Sequence, residues 1–263
     1  MTPIPFKDLR GPILIVAPHP DDDVLSSGGV IQKAIRTGKP VHIVYLTNGD
    51  ANTGSIRNFL HAPSIPAPFR RLGRIRHLEA LKAEAFLGVS SKRLYFFGFP
   101  DAHSLPIAKS TNENQVFRSP FTLWDRARYS FSFNRNAPYT RKTAISLFTE
   151  ILKKVKPKTI IVNRADDTNP DHRAARIFLM DALRRTRMKP LILSYLIHFP
   201  KWPSFKGPFV PPVRLNTRNV RALSLSALEQ RKNLQAFRLH RSQFHAHDRI
   251  SRLIRQKEIF WLG

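Results

Sequence analysis

His19 and Asp22 stand three residues apart in Pro18-His19-Pro20-Asp21-Asp22-Asp23. An imidazole and a carboxylate this close have the donor types of a zinc site. Asp21, between them, is a carboxylate that need not bind metal and could act as a general base. A third donor, His172, comes much later, in Pro170-Asp171-His172. Catalytic zinc keeps three protein ligands and an open position for water, so His19, Asp22 and His172 form a complete set. Helix capping is the plain alternative, because Asp is favoured at a helix start. It accounts for one or two of the carboxylates but not for the Pro-His-Pro beside them. The chain has no cysteine, which excludes disulfides and thiolate metal sites.

Two apolar strands must hold these donors. Ile13-Leu14-Ile15-Val16-Ala17 ends at a proline just before His19, and Thr159-Ile160-Ile161-Val162 precedes His172. Short β-branched runs of this kind read as fully buried strands. Residues just past such strands lie at the carboxyl edge of an open sheet, where α/β folds bind ligands. A helix is expected over 22–37, stopped at Gly38, then a strand over 41–46 with Thr47-Asn48-Gly49-Asp50 as its exit turn. That is a βαβ unit.

Residues 51–73 read as a loop. An amphipathic helix follows over 74–87, with Ile75, Leu78, Leu81, Ala85 and Phe86 as its apolar side and Gly88 as its stop. Further strands are expected over 94–97 and 191–199. Further helices are expected over 141–155, from 170 to 187, and over 224–242, where Ser226 and Glu229 spell a capping box. A terminal amphipathic segment spans 250–262. Residues 102–140 are rich in aromatics, Ser, Asn and Pro and read as a lid, a binding loop or a surface excursion. The alternation predicts an α/β fold, a mostly parallel sheet covered on both faces. The length suits one domain over 1–263.

Formal net charge is +26, from 44 Lys+Arg against 18 Asp+Glu. Such an excess attracts polyanions or anionic membranes. The basic residues are spread along the chain with no nucleic-acid-binding signature, so nucleic acid is not expected as the main partner. No apolar run is long enough to span a bilayer and no signal peptide opens the chain, so a cytoplasmic protein is expected. Gly28-Gly29 lacks the spacing of a phosphate loop and reads as a place of close helix packing.

Pro18-His19-Pro20-Asp21-Asp22 followed by Gly28-Gly29 resembles the signature of the PIG-L/LmbE-like zinc-dependent de-N-acetylases. Other blocks resemble that family in order: Thr47-Asn48-Gly49-Asp50, Arg76-His77-Leu78-Glu79 with Leu87-Gly88, Gly98-Phe99-Pro100-Asp101, Asp167 to Arg173, Tyr195 to Pro203, and Ser242-Gln243. The likeness is weakest over 102–140 and after 243. It implies a Rossmann-like three-layer sandwich, Zn²⁺ on His19, Asp22 and His172, and Asp21 as general base. It further implies an N-acetylated amino-sugar conjugate of the N-acetylglucosamine type as substrate, with acetate released. Arg76 would contact substrate. Asp101 would bind sugar hydroxyls or cap a turn, and Asp171 would orient a neighbour.

Where the family usually has a histidine three positions before its second metal histidine, this chain has Asn169. An amide donates a hydrogen bond but carries no titrating proton. Either Asp21 moves both protons, or another histidine (His198, His103, His240 or His245) substitutes. Fe²⁺ could occupy the same donors. Two other readings stand beside the deacetylase: a non-catalytic binder of membranes or polyanions, and an amidase for another small N-acyl metabolite.

Overall fold

The computed structural model describes residues 1–203, 209–212, 214–215, 218–244 and 250–262. Among them, strands β1 (Thr2–Pro3), β2 (Ile13–Ala17), β3 (Val41–Thr47), β4 (Leu94–Phe99), β5 (Thr159–Asn163), β6 (Leu191–Tyr195), β7 (Val220–Ser224) and β8 (Lys257–Leu262) form one sheet. Its order is β1-β7-β8-β6-β5-β2-β3-β4. Strands β2 to β6 are mutually parallel, whereas β8 runs antiparallel to β6 and β7. From β2 the chain winds outward through β3 and β4, then returns to β5 on the other side of β2. The strand order therefore reverses between β2 and β5, the position where open α/β sheets form a ligand crevice.

The alternation of β2 divides the core. Ile13, Ile15 and Ala17 face one apolar layer, packed by helices α1 (Asp22–Arg36), α3 (Pro66–Leu87) and α7 (Ala227–Arg238). Leu14 and Val16 face the other, packed by α5 (Arg141–Val155) and α6 (Pro170–Thr186). With period 2 in the strand, every residue of β2 is buried because both faces are covered. This is the three-layer α/β sandwich that the pattern predicts. No helix among the described residues is long and apolar enough to cross a membrane.

Several local expectations need correction. Residues 51–73 hold α2 (Thr53–Asn58) and the first turns of α3, which starts at Pro66, a residue whose fixed φ suits a helix start. The apolar side expected for this helix is wrong. Leu78 and Phe86 are exposed, while Arg76, Glu79 and Glu84 are buried. The buried face was hidden in the sequence because polar residues occupy it, Arg76 and Glu79 with dedicated partners. The strand expected over 191–199 ends at Tyr195. The 224–242 helix is shorter than expected. It follows a strand, β7, carries the expected Ser226–Glu229 capping box, ends at Arg238, and gives way to a separate turn, α8 (Arg241–Phe244). The terminal amphipathic segment is a 3-10 turn followed by strand β8.

Residues 102–140 contain the short helix α4 (Ser104–Lys109) and then irregular chain packed on the β4 edge. Tyr129 and Tyr139 are buried, and Phe131 stacks on His77 at 3.7 Å between centroids.

Gly28 and Gly29 let α1 approach α7 and β8. A Cβ on Gly28 would sit 2.5 Å from the Asn233 side chain, and one on Gly29 2.2 Å from Leu225. Into that gap reaches Glu258 of β8, accepting the N–H groups of Gly29 and Val30. Burial pushes its carboxyl up to about 8, against the pull of those N–H groups. The folded chain thus holds this proton more tightly than the unfolded chain, where a glutamate titrates near 4.3. The associated stability is present below that value and lost as pH rises through about 8. Glu258→Gln cannot ionise. The stability of the variant relative to wild type should therefore rise by up to about 1.4 kcal/mol per pH unit between roughly pH 5 and 8, read by urea unfolding across that range.

Candidate active site at the sheet crevice

The exits of β2 and β5 lie side by side, because Val16 pairs with Val162 in the parallel ladder. Past β2 the chain turns through Pro18 to Asp21 and enters α1. Past β5 it loops to Asn169, which caps α6 by accepting the N–H of Asp171. His19 and His172 thereby meet with ring centroids 5.2 Å apart.

Asp22 lies between the two rings. Its Oδ2 is 3.2 Å from His19 Nδ1 and 3.1 Å from His172 Nε2. The far nitrogens are held by other carboxylates. His172 Nδ1 faces Asp167 Oδ2 at 3.1 Å, and His19 Nε2 faces Asp101 at 3.1 Å and Asp171 at 3.4 Å. With the outer nitrogens protonated and held by carboxylates, loss of the second proton from each ring would leave both inner nitrogens as donors to a cation, the tautomer that metal-binding histidines adopt. His172 Nε2 is buried and has no hydrogen-bond partner. His19 Nδ1, His172 Nε2 and a carboxylate oxygen of Asp22 form a group that could hold a metal ion.

The charges point the same way. Asp21, Asp22, Asp101, Asp167 and Asp171 are all buried, with Arg76 as the permanent cation among them. Burial lowers the two histidines, but the carboxylates outweigh it. Asp101, Asp171 and Asp22 hold the His19 proton on well above its usual range, and Asp167 with Asp22 raises His172 to about 9. For Asp22, burial is outweighed by the two rings, which hold its carboxyl well below the usual range. The cluster demands positive charge at this point, and a divalent cation fits that demand and the N, N, O donor set.

Asp21 sits beside this group with φ 139° and ψ −25°, a backbone conformation rare outside glycine. Such strain costs on the order of 1–3 kcal/mol and persists only where the surroundings enforce it. Arg76 supplies the enforcement. Its guanidinium donates to Gly49 O at 3.0 Å, Pro20 O at 2.8 Å and Asp21 Oδ1 at 3.0 Å. Gly49, at φ 63°, has no room for a side chain, since a Cβ would lie 2.1 Å from Arg76. Burial lifts the Asp21 carboxyl to about 7 against the pull of Arg76. Arg76 lines the cavity and directs part of its guanidinium to Asp21. Asp23, the third carboxylate of the run, points away and accepts the Tyr45 hydroxyl.

Asp101 and Asp171 brace the rim as well as His19. Asp101 accepts the N–H of Ala51, and Asp171 those of Ala102 and Ser104. Asn169 spends its carbonyl oxygen on the α6 cap, so its amide nitrogen is the group left to donate into the cavity it lines. That cavity, about 170 Å³, is bordered by His19, Asp21, Asp22, Asn52, His198 and Gln243 among others. Of the 102–140 segment, only Ala102 lines the cavity.

Of the four substitute histidines, His198 lines the cavity, with its ring edge-on to His172 at 4.9 Å. Burial, then the charge of His172, lowers it to about 4, so it is neutral at ordinary pH. His103 packs near Phe117 outside the cavity lining, His240 is buried with both ring nitrogens unpartnered, and His245 lies outside the described residues.

Asp167 had no role in the sequence reading. It also accepts the N–H groups of Ile197 and His198, and so ties the β5 exit to the β6 exit. A carboxylate five residues before a candidate metal histidine, past the same strand, is the signal that could have found it. Asp50, bonded to Tyr129, was likewise missed. Its partner lies in the irregular 102–140 segment, where spacing carries no information.

Comparison with known proteins gives this geometry a context. Among solved structures, the N,N'-diacetylchitobiose deacetylase of Pyrococcus horikoshii superposes with a TM-score of 0.63 at 20% identity, covering 98% of this chain and 85% of that one. The zinc-inhibited form of the teicoplanin deacetylase Orf2 gives 0.60 at 17% identity, covering 95% and 96%. At these identities the likeness shows a shared fold. A curated glucosamine-6-phosphate deaminase-like protein of Bacteroides thetaiotaomicron is 37% identical over 51 residues, 19% of this chain and only 8% of that protein's length. The family model described as PIG-L, GlcNAc-PI de-N-acetylase, matches residues 14–183, from the start of β2 almost to the end of α6 and so across every candidate donor. The chain belongs to the PIG-L family.

Proposed function

We propose that this protein is a metal-dependent N-deacetylase that hydrolyses the N-acetyl amide of an amino-sugar conjugate of the N-acetylglucosamine type. The observation that carries the reading is the meeting of His19 Nδ1, Asp22 Oδ2 and His172 Nε2 at the β2/β5 crevice, with Asp21 alongside. Family membership and the deacetylases among its structural neighbours support the reaction class. The donor set favours Zn²⁺, with Fe²⁺ as the alternative. A divalent cation held by these three residues would polarise the amide carbonyl and acidify a water.

The chain's own groups do the rest. Asp21, fixed by Arg76, takes the proton of the attacking water and returns it to the leaving amine. A carboxyl lifted to about 7 can accept and release a proton near neutral pH. The carbonyl oxygen would gain charge as the tetrahedral intermediate forms, and the Asn169 amide and the neutral His198 ring, which both line the cavity, would donate to it. Asn169 cannot protonate the amine, which leaves both transfers to Asp21. A cavity of about 170 Å³ is smaller than a typical ligand pocket, so it takes the acetamido end and leaves most of the sugar conjugate outside.

The test is acetate release from N-acetylglucosamine conjugates by purified protein. Turnover should accompany about one bound metal ion per chain, vanish with a chelator and return with Zn²⁺ or Fe²⁺. Protein that binds no metal and releases no acetate would overturn the reading. Asp167→Asn checks the support of His172. Metal affinity should fall about 10- to 100-fold, measured by competition with a chromogenic chelator.

A further inference from the structure

At the other edge of the sheet, before β2, β5 and β6, a cleft of about 530 Å³ opens, three times the size of the catalytic cavity. Its frame is backbone. Lys158 N and Thr159 N donate to Pro12 O, and Leu191 N donates to Lys158 O, so the three connections are tied together. Around it stand Arg10, Lys156, Lys158 and Lys189, all exposed, against one carboxylate, Asp8. No hydrogen bond or ion pair engages the charged ends of these four side chains among the described residues.

Cations do collect at helix C-termini for a reason internal to the fold, and α5 and α6 both end here. Each end carries roughly −0.5 of a charge. Two helix ends and Asp8 therefore offset about two of the four positive charges, leaving about two unmatched. A phosphate monoester carries about −1.5 to −2 at neutral pH, and its oxygens accept from lysine and arginine alike.

We infer that this cleft is a binding site for a phosphate-bearing anion, remote from the candidate active site and independent of its chemistry. Arg10 and the three lysines supply the donors, and Asp8 sets a limit by repelling an anion that comes too close. Base recognition is not what this edge offers. Among the described residues no aromatic side chain lines the cleft, and the helices here present their C-terminal ends. The anion could be a free phosphate compound or the headgroup of a lipid.

The experiment uses the full chain in phosphate-free buffer. One arm titrates pyrophosphate by calorimetry, and another floats the protein with phosphatidylcholine vesicles with and without phosphatidic acid. The double variant Lys156→Gln/Lys189→Gln is compared with Lys142→Gln, which removes charge from the opposite end of α5. Saturable pyrophosphate binding, weakened about tenfold in the double variant and unchanged in Lys142→Gln, supports a free anion as ligand. Flotation only with phosphatidic acid, lost in the double variant alone, supports a headgroup. No binding in either arm, or equal weakening by Lys142→Gln, overturns the site and leaves a diffuse basic surface.

Discussion

Asp21→Asn should lower the turnover number by about 10² to 10⁴ while metal content and thermal midpoint stay as in wild type. The side chain keeps its shape, so its oxygen can still accept from Arg76, but it loses the ability to take a proton from water. The three proposed metal donors are untouched. Nor does the strained backbone at this position change, because the same contacts to Pro20 O and Gly49 O enforce it. Stopped assays of acetate together with metal analysis of the same preparations separate the two effects. An Asp21→Asn protein with unimpaired turnover would remove Asp21 as the base and leave the metal assignment intact.

His172→Ala should abolish stoichiometric metal binding and with it activity, by about 10³ or more, since the cation supplies several kcal/mol of transition-state stabilisation. His172 is fully buried. Its removal takes from Asp167 its one ring partner and leaves it the N–H groups of Asn169, Ile197 and His198, which should cost about 1–3 kcal/mol of stability. Circular dichroism must therefore show native structure before the metal result is read. Retained metal at wild-type affinity would remove His172 from the donor set, and the proposed hydrolase would lose its centre.

The parts of this fold that the sequence disclosed are those where one physical signal dominates. Ile13 to Ala17 and Thr159 to Val162 are apolar on both faces and have only one comfortable environment. Ser226 with Glu229, and Gly88 after α3, mark helix ends because their local chemistry suits little else. The α3 face was misjudged for the opposite reason. Arg76, Glu79 and Glu84 look like solvent-facing residues until their partners, brought from β2, β3, α1 and α8, are known. Strand β8 was read as an amphipathic segment because Lys257 and Glu258 broke the apolar run, yet Glu258 is buried against α1.

At the candidate site, residue types named His19, Asp21, Asp22 and His172, and the structure brings the four together. Asp101 and Asp171 could not be assigned from spacing, since each bonds both His19 and the backbone of a distant loop. His198 could be named only by type, because the turn that places it beside His172 follows an early end to β6.

His19 and His172 are neighbours only because β2 and β5 are neighbours, and those strands are separated by half the chain. No hairpin or local motif can form this pair on its own. During synthesis, a chain released only as far as β4 would carry one ring and one carboxylate and would have little hold on a cation. Metal affinity should therefore appear together with closure of the central ladder, a contact of high sequence separation and slow formation.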